Sequence, residues 1–241
     1  MKSAMSIVYM ADVIGSHETL TPERYARFKA VVEDANKEFS DKLASPLTIT
    51  LGDEFQAVVR GVDRTGSIAA ATGIIFWMEE QLLIRRTGLT LRHVIHEGVI
   101  ESPINPEVAH GMVGEGLTKA REQLAALKKG RGISKRFSFH LHGLPLFSDQ
   151  LERCFLLYEA IIGSWKPKDA ELIATFLEHK DYKKVAEVLE KDTSLMWRRE
   201  GWLWVREYQE LKNLVREMVL SLDLKPDADR PESIPDLLHS H

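Results

Sequence analysis

Apolar residues fill Ser6–Ile14 (SIVYMADVI) almost without a break, the pattern of a central strand covered on both faces. Further on, Leu47, Ile49 and Leu51 alternate with Thr48 and Thr50, which predicts a strand with one buried face. Phe55–Val59 is a second β-prone run, and only Gly52-Asp53-Glu54 separates the two. They are expected to fold back as a hairpin, with Gly52 taking the unusual backbone angle. Between the first strand and the hairpin, Thr21-Pro22-Glu23 opens a helix with a capping hydroxyl, a proline in the first turn and an acid. Tyr25, Phe28, Val32, Ala35 and Phe39 follow at spacings of 3, 4, 3 and 4, an amphipathic helix packed on a sheet. A second helix is predicted from about Ser67 to Arg86, through Ile74, Ile75, Trp77, Met78, Leu82 and Leu83, and Gly88 ends it. Leu89–Ile100 reads as a fourth strand. His93 and His96, three apart on it, face opposite sides and read as lone core or surface histidines.

This order of elements predicts an α+β fold, a ferredoxin-like, palm-type antiparallel sheet with helices on one face. Ile133–Leu141 supplies a further strand and closes a first domain, 1–145. Asp12 interrupts the first apolar strand. If the strand continues past it, the buried carboxylate needs a hydrogen-bonding partner, a cation or a metal; if the strand ends near Met10, Asp12 is a solvated loop acid. In the palm arrangement the end of the first strand faces the hairpin tip, and Asp12 and Asp53 converge.

The second half is helical. Leu151–Ile162 is an apolar helix, and Trp165-Lys166-Pro167 begins a helical run through Leu172, Ile173, Phe176 and Leu177. A short run, Tyr182–Leu189, is followed by a tight turn and by Thr193-Ser194 opening a third helix. This helix, short helix, turn, helix order resembles helix-turn-helix proteins, in which Thr193, Ser194, Trp197 and Arg198 would face DNA. Yet Ser164–Leu222 holds eleven Lys/Arg against eleven Asp/Glu, and DNA affinity rests largely on phosphate neutralisation. Trp197, Trp202 and Trp204 read as core or dimer contacts. Tyr208, Leu211, Val215, Met218 and Leu222 form an apolar stripe suited to a homodimer or to docking on the palm. The helical domain is placed at 146–222 and a disordered tail at 223–241.

Composition narrows the class. The 241 residues are 44% apolar and 28% charged with a formal net charge of −4, which gives neither an overall basic coat nor an acidic excess. The single cysteine, Cys154, cannot bridge within the chain and points to a reduced, cytoplasmic setting. No apolar run is expected to reach the roughly 20 residues that span a bilayer, and no signal peptide or membrane partner is expected. Between Lys119 and Arg136, seven basic residues (Lys119, Arg121, Lys128, Lys129, Arg131, Lys135, Arg136) stand against one acid, Glu122, with Gly130 and Gly132 in the loop. The cluster is suited to an anion, either a triphosphate or nucleic-acid backbone. A solvated helix end accounts for any one of these residues alone.

ADVIGS (Ala11–Ser16) and TITLGDEFQ (Thr48–Gln56), at this spacing, resemble the SatD family of bacterial proteins, over the chain to about residue 220. More distantly, the first 125 residues or so are similar to the palm of class III nucleotidyl cyclases and GGDEF diguanylate cyclases. The cyclase resemblance implies that Asp12 and Asp53 are the catalytic carboxylates. They would hold two Mg²⁺ or Mn²⁺ ions that bind ATP or GTP and activate a ribose hydroxyl, chemistry that suits hard oxygen ligands. It makes Glu54 a candidate third ligand, although Glu54 is expected to point to the other side of its strand. Gly52, Lys119, Arg121, Lys128, Lys129 and Arg131 are the expected nucleotide contacts. The chain departs from the pattern at several positions. Leu51 stands at the first glycine of GGDEF and crowds a nucleotide's approach. Thr48 and Thr50 occupy the strand that carries the cyclases' base-selecting lysine. Thr118 and Glu122 stand where the cyclases have an asparagine and, four residues later, an arginine. Two readings follow: a palm that binds metal and nucleotide and turns nucleotide over, or a non-catalytic, DNA-binding regulator in which the palm senses or dimerises.

Overall fold

The computed structural model describes residues 4–50 and 52–223. Its elements run β1 (Ala4–Val13), α1 (Ser16–Thr19), α2 (Pro22–Glu38), β2 (Leu43–Ile49), β3 (Glu54–Val59), α3 (Arg64–Ile84), β4 (Leu91–Ile100) and α4 (Glu115–Lys128). Then follow β5 (Phe137–His140), α5 (Pro145–Gly163), α6 (Ala170–His179), α7 (Tyr182–Val188), α8 (Thr193–Trp202) and α9 (Val205–Leu220). The expected crowding by Leu51 lies outside the described residues, as does the tail beyond Asp223.

Thr21 caps α2 as its sequence implies: its hydroxyl accepts the Arg24 N–H at 3.3 Å, with Pro22 in the first turn. Gly52 turns the β2–β3 hairpin at φ +81°, a conformation that costs a side-chain-bearing residue energy. Pro46 is tolerated within β2 because β2 is an edge strand, and a register shift between Ser45 and Thr48 spans it.

The five strands form one sheet in the order β2-β3-β1-β4-β5. Neighbours are antiparallel except β4 and β5, which run parallel. This corrects the expectation of an antiparallel sheet with helices on one face. Parallel neighbours need a crossover connection, and the chain between β4 and β5 carries α4 over the second face. Ile7, Tyr9, Ala11 and Val13 of β1 face α2 and α3, among Phe28, Val31 and Ile75. Val8 and Met10 face the other way, with Val58 and Val94 against Leu117, Ala120, Leu124 and Leu127 of α4. The sheet and the start of α4 touch backbone to backbone: a Cβ on Gly98 would stand 2.6 Å from Gly116 Cα, and one on the capping Gly114 2.6 Å from the Val99 carbonyl oxygen.

The helical half shares the palm's core. Phe155 and Tyr158 of α5 and Tyr208 of α9 are fully buried in one cluster with Phe76 of α3 and Phe137 of β5. The Tyr208, Leu211 and Val215 stripe is therefore used in docking onto the palm. Trp197, Trp202 and Trp204 are not core: they are 54%, 67% and 54% exposed. α3 is 21 residues long and contains an 18-residue window apolar enough, by length and composition, to cross a bilayer, although Arg64, Glu79 and Glu80 interrupt its apolar run. Here 56% of that window is buried in the protein, between the sheet and α6 and α9.

Candidate functional site

β1 continues through Asp12 to Val13, so Asp12 is a strand residue and not a solvated loop acid; it is 2% exposed. Registers place it directly opposite Glu54 on β3 and Arg92 on β4. Directly paired residues share a face, so Glu54, Asp12 and Arg92 form one charged row on the α4 side. This corrects the expectation that Glu54 points away from Asp12. The hairpin tip does meet the end of β1, through the Val13 N–H donating to the Asp53 carbonyl at 2.9 Å. The half-buried Asp53 side chain sits on the turn just before the row.

The last residue of α4 closes the site. Lys128 Nζ is 3.2 Å from Asp12 Oδ2 and 2.7 Å from Glu54 Oε1, and Arg92 Nη1 donates to the same Asp12 oxygen at 3.0 Å. Burial pushes the Asp12 carboxyl above its ordinary value, and the charges of Lys128 and Arg92 only partly offset that push. Its second oxygen, Oδ1, is buried with no hydrogen-bond partner among the described residues. One row further along the sheet, Arg121 Nη2 donates to Gln56 Oε1 at 3.2 Å.

The seven basic residues do not form one surface. Lys128, Lys129 and Arg131 stand together at the α4 C-terminus, and Arg121 lies two turns back on Gln56. Lys119 pairs with Glu122 at 3.0 Å and lines a separate cavity with His96, Gly98 and His140. Arg136 leaves the basic loop altogether: it is mostly buried and bound to Glu79 at 2.5 Å. Thr118 bonds the Gly114 carbonyl within its own helix, and Glu122 turns to Lys119. Thr48 accepts the Ala109 N–H at 2.9 Å and donates to the Pro46 carbonyl at 3.0 Å, which ties the segment before α4 to β2. In the helical half, Asp192 caps α8 by accepting the Leu195 N–H at 2.9 Å, and Thr193, Ser194, Trp197 and Arg198 are all exposed.

A buried polar network that the sequence pattern alone does not predict lies on the opposite face. Glu79 of α3 accepts from His93 Nε2 at 2.9 Å, Arg136 Nη2 at 2.5 Å and Tyr158 Oη at 3.2 Å. Because the carboxylate only accepts, His93 carries its proton on Nε2, and Nδ1 accepts from Tyr9 Oη at 2.8 Å. Burial opposes the charge on Glu79, but Arg136 and the His93 bond outweigh it and hold the carboxyl at about 2. Burial holds His93 below its ordinary value. The signal was present: Glu79 lies between Ile75 and Leu82 at helical spacing, an acid inside the apolar stripe.

Among solved structures, a bacterial light-regulated adenylyl cyclase matches with a TM-score of 0.42 and 14% identity, covering 58% of this chain and 77% of that one. The adenylyl cyclase CyaB from P. aeruginosa matches with a TM-score of 0.39 and 12% identity, covering 52% and 74%. Identities this low transfer no activity. No curated protein matches the chain. The SatD family matches residues 6–200, most of the chain, and the protein therefore belongs to the SatD family.

Proposed function

We propose that the α4-facing end of the palm binds a nucleoside triphosphate together with Mg²⁺ or Mn²⁺, with Asp12, Asp53 and Glu54 as the metal-facing carboxylates. The observation that carries this reading is the buried Asp12 carboxylate, whose Oδ1 lacks a hydrogen-bond partner among the described residues while Glu54 stands opposite it. A buried, unpartnered carboxylate oxygen is costly and suits a hard cation. Among the described residues no group of three or more His, Cys, Asp or Glu side chains could hold a metal on its own. Asp12, Asp53 and Glu54 would therefore need the substrate phosphates to complete the coordination of Mg²⁺, an ion usually held by one or two carboxylates plus phosphates. When bound, the metal would neutralise phosphate charge and polarise the oxygens it contacts.

The chain's own residues supply the rest. Lys128, Lys129 and Arg131 offer positive charge at the end of α4, where Gly130 has φ +68°. Arg121, held by Gln56, extends that charge along the sheet. Gly52, without a side chain at the exposed hairpin tip, leaves room beside Asp53 for a phosphate to approach. Lys119 faces a different cavity and is not included. Binding is the proposal, and turnover is not: Thr118 and Glu122, at the positions compared with the cyclases' asparagine and arginine, are engaged within α4. A regulator that senses nucleotide is the form of this reading that agrees with both. Contact with DNA through Thr193, Ser194, Trp197 and Arg198 is a second reading, favoured by their shared exposure on α8.

Isothermal titration of ATP and GTP, each with Mg²⁺ or Mn²⁺, tests the proposal. Wild type is expected to bind in a metal-dependent way. The double variant Asp12→Ala, Asp53→Ala is expected to bind at least about tenfold more weakly, because it loses the hard-oxygen anchors. The single Asp53→Ala change at the half-buried turn should also weaken binding while leaving the fold intact. Equal affinity in wild type and a folded double variant, or no binding at millimolar nucleotide, sinks the palm-site reading and moves attention to α8 and DNA.

A further inference from the structure

The carboxylates proposed to meet a metal already hold a cation. Lys128 Nζ bridges Asp12 and Glu54 at 3.2 and 2.7 Å, and Arg92 adds a second positive charge at 3.0 Å from Asp12. Two carboxylates and two cations leave the row electrically balanced. A divalent ion entering it would meet two positive charges at contact range and gain no net attraction. One of the cations must leave.

The two differ in their freedom to do so. Arg92 lies within central strand β4 and its side chain is 18% exposed. Lys128 is the last residue of α4, its side chain is 39% exposed, and it carries an ammonium on a flexible four-carbon stem. Lys128 is therefore the cation free to swing away from the row.

We propose that Lys128 is a tethered competitor for the metal: without nucleotide its ammonium occupies the place between Asp12 and Glu54, and the divalent ion enters as Lys128 swings out to the incoming triphosphate. This rests on the metal–nucleotide reading above and adds regulation to it. Metal alone binds weakly, because the displaced ammonium gives up both partners. Metal with a triphosphate binds well, because the ammonium exchanges two carboxylates for phosphate oxygens. The competition makes the two ligands mutually dependent.

Electron paramagnetic resonance of free Mn²⁺ reads this directly. Wild type, Lys128→Met and Lys128→Arg are titrated with and without a non-hydrolysable ATP analogue, with melting curves recorded on the same samples. Lys128→Met is expected to bind Mn²⁺ without nucleotide at least about tenfold more tightly than wild type. Lys128→Arg, which keeps the charge, should retain the weak binding. The analogue should enhance Mn²⁺ binding strongly in wild type and much less in Lys128→Met. Lys128→Gln serves as a second neutral variant should Lys128→Met not fold. If the neutral variants bind Mn²⁺ no better than wild type while the analogue still brings Mn²⁺ to wild type, the competitor role is wrong and the metal–nucleotide site stands. If none of the proteins binds Mn²⁺ with or without the analogue, both fail.

Discussion

Replacing Glu79 with alanine is expected to cost the fold about 3–5 kcal/mol, the range for removing one partner of a buried charge pair. The substitution leaves Arg136, whose side chain is 11% exposed, without its carboxylate, and it strips a partner from His93 and Tyr158. It also loosens the short β5 strand, since Arg136 immediately precedes β5 and its Nε donates to the Leu91 carbonyl at 2.9 Å. Urea unfolding at neutral pH measures the loss. The sign with pH is fixed by the depressed carboxyl, at about 2 against an ordinary 4.5. Its contribution is fully present above the ordinary value and fades as pH falls through about 2. The gap between wild type and Glu79→Ala should therefore be widest near neutrality and narrow in acid. A difference within about 0.5 kcal/mol at neutral pH would class Glu79 with ordinary surface positions and contradict the network's role.

Phe155→Ala is expected to cost a similar 3–5 kcal/mol, the range for removing a buried aromatic side chain. Phe155 is fully buried, with ring centroids 4.9 Å from Phe76, 4.6 Å from Phe137 and 5.1 Å from Phe139. It thus joins α5 to both α3 and β5. Since the helical half and the palm share this cluster, unfolding should remain one transition. Far-UV circular dichroism should lose signal together with the fluorescence of Trp77 and Trp165. Two separated transitions in the wild-type protein would show that the halves are independent. The costs of Glu79→Ala and Phe155→Ala should not add, because both side chains touch Tyr158.

Local signals in the sequence carried most of the elements. The unbroken apolar run at Ser6–Ile14 is the central strand, Thr21-Pro22 begins α2 with its cap, and Gly52 turns the hairpin. Long-range geometry was harder to read. α4 is not among the helices expected from the sequence, although Leu117, Ala120, Leu124 and Leu127 recur at helical spacing, and nothing local says which sheet face it covers. β5 has only four residues, too few for a pattern to reveal a parallel partner. Glu54 shows how finely the site depends on register: a shift of one residue moves a side chain to the opposite face, and only the pairing of Asp12 with Glu54 settles it. The basic cluster was visible as composition, whereas its members turn to different partners. Lys128 closes on Asp12 and Glu54, Arg121 on Gln56 and Arg136 on Glu79. Those pairings depend on tertiary contacts between residues far apart in the chain. Glu80, beside Glu79, likewise looks like a solvated helix acid and instead anchors α9 through Tyr208, at 2.9 Å, and Lys212.

Whether a divalent ion binds at the proposed site, and where, can be measured without relying on turnover. Mn²⁺ added with the non-hydrolysable ATP analogue to isotopically labelled protein broadens the amide resonances nearest the ion. Asp12, Asp53, Glu54 and Lys128 are expected to lose intensity first, and Asp12→Ala to abolish the effect. Broadening centred on the His96–His140 cavity or the exposed face of α8, or no selective broadening at all, would contradict the assignment of this palm face as the metal–nucleotide site.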